Sequence, residues 1–338
     1  MMKLTSRQKK LFHWVVQRYI GTASPVASDH LVRFLKLDCS PATVRNEMVY
    51  LEDAGFVKQP HTSAGRIPTD LGYRFYVNNL MKQEPMRAEE EHQIYESIHR
   101  VKGNVRFLLE ETSKLLSAIS EELAIVMTPC ISHAVFDRLE LIALSREKIL
   151  VVIHVRSRRV KTVIIQINYD FQDSDLEKAA SLLNERISGL TLNEIHRTIQ
   201  NCFNRIDLTN YSIVRTILES AQDLFDLSSP LEMVTSGAQN FLSQPEFSDK
   251  DNLQNIFSFV EDKKGVMGFF KSKPETAGVS IGWENEDPRL QSFSIVTTSY
   301  HMGNEEGMIG VIGPTRMRYN KIMPLVNHMA HAVTRFFS

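Results

Sequence analysis

A short segment of the chain joins the start signals of a helix to side chains that can hydrogen-bond to bases. Ser40-Pro41 is typical of a helix N-terminus, because Ser caps free amides and Pro needs no amide at the first helical position. Val44, Met48 and Leu51 then recur at i, i+4 and i+7, which predicts a buried stripe. The outward side of this predicted helix is left to Ala42, Thr43, Arg45, Asn46 and Tyr50.

The outward side has the chemistry that reads a DNA groove. Arg45 can donate two hydrogen bonds to guanine, and Asn46 can pair with adenine. The methyl groups of Ala42 and Thr43 can meet thymine. The helix N-terminus, with the Ser40 hydroxyl, can receive a backbone phosphate. On a lone helix such residues would usually form a solvated face. Beside a preceding helix, a short turn and a basic loop, they favour nucleic-acid binding instead.

A second candidate contact follows in residues 60–66, which are small and polar and carry cationic groups. Such a loop can follow a phosphate backbone or enter a minor groove. We therefore add His61, Thr62, Ser63 and Arg66 to the DNA-binding candidates. For His61, a hydrogen bond within the loop is favoured over a pH-sensitive contact.

The surrounding pattern predicts the elements that position these residues. Thr5 and Gln8 fit a capping box for a first helix that ends at Gly21, and Ser24-Pro25 signals the start of a second helix. The third helix, from Ser40, is expected to run to about Ala54. Residues 56–59 and 66–67 then predict two strands around a turn, and Thr69-Asp70 predicts the start of another helix. Together these elements predict a winged helix-turn-helix in residues 1–82.

The charge distribution agrees with a nucleic-acid partner for this end of the chain. The 338 residues have a net charge of -1, but residues 1–82 hold 12 Lys/Arg against 6 Asp/Glu. The remainder holds 27 Lys/Arg against 34 Asp/Glu. A basic N-terminal segment followed by an acidic remainder suggests that only residues 1–82 bind a polyanion.

The rest of the chain mixes helical and strand patterns. An apolar stripe from Ile94 to Ile119 predicts one long amphipathic helix, which packs on its own domain or forms a subunit contact. Residues 137–168 predict an antiparallel meander of strands at 139–144, 149–155 and 160–167. Helices are expected over 173–262, the longest at 208–225, then strands at 278–282, 293–300 and 308–312 and a last helix over 321–337. This order predicts an α+β fold.

Cysteine usage and hydropathy narrow the class of protein. Cys39, Cys130 and Cys202 are far apart, so neither a disulfide framework nor a cysteine zinc site is expected. No secretory segment is predicted, and no apolar stretch approaches the roughly 20 residues that cross a bilayer. We expect a cytoplasmic protein. A redox enzyme acting through Cys130 or Cys202 is the enzyme alternative, but no partner Cys or base stands at a supporting spacing.

Two further groups of residues, three glycines and two histidines, are expected to have structural and not functional roles. Gly307, Gly310 and Gly313 lack the strand and helix order of a nucleotide loop, so close strand packing is expected. His328 and His331 lie three apart on the last predicted helix, but a metal site needs further ligands, and none is predicted. No cofactor and no catalytic residue is predicted.

Arg316 and Arg318 follow a Pro-Thr turn and leave two possibilities open. They could hold an anion, or they could hold a carboxylate of another domain. The carboxylate is the favoured interpretation.

Residues 4–81 resemble the N-terminal domain of the HrcA family of heat-inducible transcription repressors. The resemblance rests on residues 40–48 (SPATVRNEM) and 59–69 (QPHTSAGRIPT). It continues in residues 183–186 (LNER) with Gly189-Leu190, and in residues 310–319 (GVIGPTRMRY). These motifs span both ends of the chain.

The resemblance implies a fold and a function. The expected domains are a winged helix-turn-helix at 1–82, a linker helix and first part of a GAF-like domain at 83–136, an inserted α+β dimerisation domain at 137–225, and the second GAF-like part at 226–338. The implied function is a homodimeric repressor of heat-shock chaperone operons that binds an inverted-repeat operator of double-stranded DNA, the CIRCE element. The chaperonin GroEL would keep it active, and heat would relieve repression. A regulator that senses a small effector in the GAF-like domain is the binding alternative.

Overall fold

The computed structural model has a mixed α+β fold, as the sequence predicts. It describes residues 4–28, 31, 40–61, 64–101, 105–128, 135–156, 160–204, 211–225, 233–262, 265–266, 268–269, 278–303 and 305–337. The chain divides into two compact units. The first comprises Met1–Met127, Glu232–Tyr300 and Met308–Phe336, and the second comprises Thr128–Leu231, His301–Gly307 and Phe337–Ser338.

The first unit begins with helices and a small hairpin. Their bounds are α1 Ser6–Thr22, α2 Pro41–Asp53, β1 Val57–Lys58, β2 Ile67–Pro68 and α3 Asp70–Asn79. The Thr5–Gln8 capping box is present, since each residue accepts a hydrogen bond from the other's backbone amide at 2.8 and 3.2 Å. Thr69 caps α3 through its hydroxyl. The starts of α1, α2 and α3, the hairpin and the end of α2 at Asp53 follow the sequence prediction closely.

The remainder of the first unit is a five-stranded sheet with flanking helices. Its strands lie in the order β7-β3-β10-β9-β8. The apolar strand β3 is buried along its whole length, so it occupies the interior of the sheet. The bounds are α4 Ala88–His99, α5 Val105–Ser120, β3 Leu123–Met127, β7 Met233–Ser236, α10 Ala238–Leu242, α11 Lys250–Glu261, β8 Gly278–Ile281, β9 Phe293–Met302, β10 Glu305–Pro314 and α12 Tyr319–Phe337.

The second unit is an antiparallel sheet, in the order β4-β5-β6, covered by helices. Alternate strand residues form one buried cluster with the apolar sides of the helices. This is the meander that the charged turns and β-branched runs predict. The bounds are β4 Phe136–Ser145, β5 Lys148–Val155, β6 Val160–Gln166, α6 Asp173–Ile187, α7 Leu192–Phe203, α8 Ser212–Glu219 and α9 Ala221–Leu224.

Two predicted helix ends near the hairpin are wrong. Helix α1 continues through Gly21 to Thr22, and Ala23 closes it with a left-handed φ of 51°. Ser24-Pro25 does not start the second helix, because Val26 pairs with Arg66 as an isolated antiparallel bridge. The first helical residue described after that bridge is Ser28, and residues 32–39, over which the predicted helix would continue, lie outside the described residues. A long-range backbone pairing therefore overrides the local capping signal.

The helical patterns of the middle of the chain are also corrected. The single long helix predicted over 94–119 is two helices, α4 and α5, separated after Arg100. Its apolar stripe is buried within the first unit. The longest helix described in residues 173–262 is Asp173–Ile187 and not the predicted 208–225. Strands β3 and β7 were not predicted, because short apolar runs beside helices carry no alternation.

Candidate nucleic-acid interface

The inner side of α2 fixes how this helix is presented. Val44 and Leu51 are completely buried, and Met48 is nearly so. On the flank of the helix, Glu47 accepts a hydrogen bond from Gln8 Nε2 at 2.8 Å, which ties α2 to α1. Since successive residues are about 100° apart around a helix, a buried stripe on one side sets the direction of the other side.

The outer side of α2 contains the predicted DNA-binding residues. Ala42, Arg45 and Asn46 are exposed, while Thr43 and Tyr50 are half-buried. Among the residues that the structure describes, neither Arg45 nor Asn46 has a side-chain hydrogen bond or an ion pair. Their donor and acceptor groups are consequently available to a partner.

Val49 belongs to the same outer side and was not predicted. Its side chain is 42% exposed, and it stands one turn after Arg45. Methyl contacts with thymine suit such a position. Its apolar type suggested a core residue, although the helical period from Arg45 could have identified it.

Ser40 acts first as the cap of α2. Its hydroxyl accepts the amide of Thr43 at 3.2 Å and lies 3.0 Å from the Thr43 hydroxyl. The hydroxyl is exposed, and the amides of the first turn point away from the helix body. An anion could therefore approach the N-terminus beside the cap.

The hairpin is joined to α2 by an ion pair. The Arg66 guanidinium donates to Glu52 Oε2 from Nη2 at 2.8 Å and from Nε at 3.2 Å. The Arg66 backbone also exchanges two 2.9 Å hydrogen bonds with Val26. Arg66 thus links α2, the hairpin and the segment before the second helix, and its side chain keeps 20% exposure.

The turn of the hairpin is only partly described. His61 is exposed, and its carbonyl accepts the amide of Ala64 at 2.9 Å. Thr62 and Ser63 lie outside the described residues. Gly65 is packed so closely that a Cβ there would stand 2.4 Å from the Val26 carbonyl carbon. Only glycine fits at this position, because the neighbouring atoms belong to the backbone.

Contacts within the first unit also hold the helices of residues 6–79. Arg74 Nε donates to Glu284 at 2.7 Å, and its Nη2 bonds both Glu284 and the Val279 carbonyl. Asp70 accepts the amide of Trp283 at 3.1 Å. Gly282 has a φ of +52°, and a Cβ there would collide with the Asp70 carboxylate. These contacts hold α3, and with it the N-terminal helices that carry the candidate interface, against residues 279–284.

The other predicted constellations lie away from this interface. A Cβ on Gly310 would meet the Val296 carbonyl at 2.8 Å, so the glycine does serve close strand packing. Within the described ranges, no His, Cys, Asp or Glu cluster could hold a metal ion, and no helix is long and apolar enough to cross a membrane. Cys202 is a half-buried free thiol, and Cys130 lies outside the described residues.

Comparisons with known proteins agree over the full chain. The family model of the HrcA protein C-terminal domain matches residues 107–323. The heat-inducible transcription repressor HrcA of Chlorobium phaeobacteroides (strain BS1) is 36% identical over 355 residues, covering 99% of both chains. That of Chlorobaculum tepidum is 36% identical over 349 residues, covering 99% of this chain and 98% of its own. A crystal structure of a hypothetical protein shares the fold at a TM-score of 0.60 and 24% identity, covering 99% of both chains.

These matches define a transcription repressor as the class of protein, which excludes the redox-enzyme alternative. The chain belongs to the HrcA family of heat-inducible transcription repressors. The resemblance found in residues 40–48, 59–69, 183–190 and 310–319 is thereby confirmed.

The close approach at Gly65 gives a test of the hairpin geometry. We expect Gly65→Ala to destabilise the protein by about 1–3 kcal/mol, as forced overpacking generally does. Gly21→Ala is the matched control, because nothing lies within 4 Å of its Cβ position and alanine favours a helix. Urea unfolding followed by circular dichroism measures both variants. Equal midpoints for the two variants would contradict the packing described at Val26.

Proposed function

We propose that the chain represses chaperone operons by binding an inverted-repeat operator as a homodimer in the cytoplasm. The observation that carries this proposal is the outer side of α2. There, an exposed guanidinium and an exposed amide stand without partners among the described residues, at the basic end of the chain. Because the chain belongs to a family of transcription repressors, DNA is the polyanion that we expect this basic end to bind.

The N-terminal elements support a winged helix-turn-helix. A helix, a second helical stretch that includes Ser28 and Leu31, the capped helix α2 and a two-stranded hairpin follow in order. In that motif the later helix lies in the major groove and its N-terminal residues meet base edges. We infer that α2 reads bases through Arg45 and Asn46, with Val49 beside them. The other proposed contacts are Ser40, Ala42, Thr43, Tyr50, His61, Thr62, Ser63 and Arg66.

The base-reading role predicts a loss of discrimination. Replacing Arg45 or Asn46 by Ala should cost roughly 1–3 kcal/mol on the cognate inverted repeat and much less on random DNA, because only base-edge contacts are lost. Gel-shift titrations on both duplexes measure the difference. Arg186→Ala is the control, since this exposed arginine lies on α6 in the second unit. Equal losses of affinity on cognate and random DNA would contradict base reading by Arg45.

Arg66 should behave differently in the same titrations. We propose that Glu52 orients its guanidinium toward a phosphate. Arg66→Ala should then weaken binding to every sequence and reduce the salt slope by about one unit. Glu52→Gln should weaken binding with the slope unchanged. A wild-type salt slope of DNA binding in Arg66→Ala would contradict a phosphate contact by Arg66 and leave its ion pair with Glu52 a purely structural role.

A homodimer is supported by the outer face of the second unit's sheet. The register places Ile142, Leu150 and Ile164 in one row across β4, β5 and β6. Ile142 and Ile164 are 45% and 57% exposed, although such a sheet face is commonly polar. Leu144 and Val160 extend this apolar face. We assign this face to a second copy of the chain for two reasons. An operator with two-fold symmetry requires two DNA-binding domains, one for each half-site. An apolar patch can also pair with the same patch of a second copy about a two-fold axis.

The dimer proposal predicts what a charge on that face does. Ile164→Asp should convert the dimer into a monomer, because pairing would bury the new carboxylate. It should also abolish high-affinity binding to the inverted repeat, because two half-sites are no longer read together. Sedimentation velocity and gel shift check the two results. Ser181→Asp, on the exposed side of α6, should remain dimeric, and a dimeric Ile164→Asp protein would refute this face.

The family resemblance further supports modulation by GroEL. A chaperonin captures chains that expose apolar surface, so heat-damaged proteins compete for it. We expect GroEL to raise the fraction of purified protein that retards the operator, and an excess of a denatured client protein to reverse the gain. Stoichiometric titration with operator DNA gives the fraction of protein that is competent to bind. An active fraction that is the same with and without GroEL would refute the modulation while leaving operator binding intact.

A further inference from the structure

A polar cavity of about 400 Å³ lies in the first unit, and none of its lining residues belongs to α2, whose outer side is the proposed DNA-reading face. Its volume falls in the range of roughly 300–1,000 Å³ that is typical of ligand sites. The walls are Ile20 and Gly21 at the end of α1, residues 120–122, residues 316–318 and the three polar residues Asn240, Ser243 and Gln244. We infer that this cavity binds a small anion through carboxylate or phosphate oxygens.

The two arginines after the Pro-Thr turn have different roles. Arg316 holds the carboxylate of Glu246 with two donors, Nε and Nη2, and its Nη1 donates to the Ile20 carbonyl at 3.4 Å. Arg318 is exposed, lines the cavity and has no side-chain partner among the described residues. Arg316 therefore holds a carboxylate, as the sequence favoured, but Glu246 belongs to the same unit and not to another domain. Arg318 is the guanidinium left for an anion.

Glu122 supplies a hydrogen-bond donor to the same cavity. Its carboxyl is buried and receives one hydrogen bond, from Gln244 Nε2 at 3.1 Å. Burial raises the pKa of this carboxyl to about 8, despite the opposing effects of that hydrogen bond and of Arg316. Near pH 7 the group is therefore mostly a neutral acid, whose O–H can donate a hydrogen bond to an anion.

The charges that face Glu122 favour an anion over a cation. Glu246 is neutralised by Arg316, and Glu121, on the turn beside Glu122, is exposed to water. The end of α1 contributes the uncharged Ile20 and Gly21. A cationic ligand would meet the unpaired guanidinium of Arg318 and would have to remove the proton from Glu122. An anion meets Arg318 and a neutral donor instead.

Isothermal titration of the full-length, DNA-free protein with malonate and with inorganic phosphate tests the site. Arg318→Ala should weaken binding at least tenfold, while Arg335→Ala, an exposed arginine on α12, should bind like the wild type. Circular dichroism confirms that each variant is folded, and Arg318→Gln replaces Arg318→Ala if it is not. Tighter malonate binding identifies a carboxylate ligand, tighter phosphate binding a phosphate ligand, and both support the anion site.

The pH dependence isolates the part played by Glu122. Malonate is a dianion at both pH 7 and pH 9, so a change in its affinity reports on the protein. Above a pKa of about 8 the carboxylate repels the anion, and affinity should fall about tenfold between pH 7 and pH 9. Glu122→Gln keeps a neutral donor and should remove this fall.

Three results would overturn the proposal. The first is wild-type affinity in Arg318→Ala. The second is loss of anion binding in Arg45→Ala, which would place the anion on the DNA-reading face. The third is binding of a cation such as agmatine with release of a proton. None of these measurements involves operator DNA, so their outcome is separate from that of the proposed repressor function.

Discussion

The burial of one stripe of α2 is the constraint on which the candidate interface depends. Val44, Met48 and Leu51 pack into the N-terminal core, and each such side chain contributes roughly 1.5–3 kcal/mol on burial. Rotating the helix by one residue would expose part of this stripe and bury Arg45 without a partner, which costs considerably more. The direction of the proposed DNA-binding residues is therefore set by apolar residues on the opposite, buried side of α2, and the hairpin has to pack beside a helix whose orientation is already fixed.

The arginines of the first unit fall into two groups, those whose guanidinium is paired with a carboxylate and those without such a pair among the described residues. Arg66 binds Glu52, Arg74 binds Glu284 and Arg316 binds Glu246, and each pair joins segments that are distant in sequence. A guanidinium with fixed geometry suits this positioning role, because it can bond a carboxylate with two donors. Arg45 and Arg318 have no such partner among the described residues. Arg335 is exposed and unpaired among them as well, so it is position that makes Arg45 and Arg318 the candidate contacts: Arg45 lies on the outer side of α2, and Arg318 lines the cavity.

Sequence reasoning succeeded where the signal is local. The cap at Ser40, the capping box at Thr5, the hairpin around residues 60–65 and the meander of the second unit all follow from residues near one another in the chain. It failed at Val26, where pairing with Arg66 overrides the Ser24-Pro25 helix signal, and at β3, whose neighbours in the sheet come from more than a hundred residues away. The exposed side chains of α2 were predictable from helical period. The partners of Arg66, Arg74 and Glu122 were not, because they are set by tertiary packing.

Helix α1 links the proposed anion site to α2, whose outer side is the proposed DNA-binding face. Near its C-terminal end, the Ile20 carbonyl accepts a hydrogen bond from Arg316, and near its N-terminal end Gln8 donates to Glu47 on α2. These residues are about 18 Å apart along a rigid helix. An anion that drew Arg316 away from Ile20 would change a contact of the same helix that supports α2. Occupancy would alter DNA affinity only if the two states of that contact differ in free energy, and DNA would then alter anion affinity by the same factor.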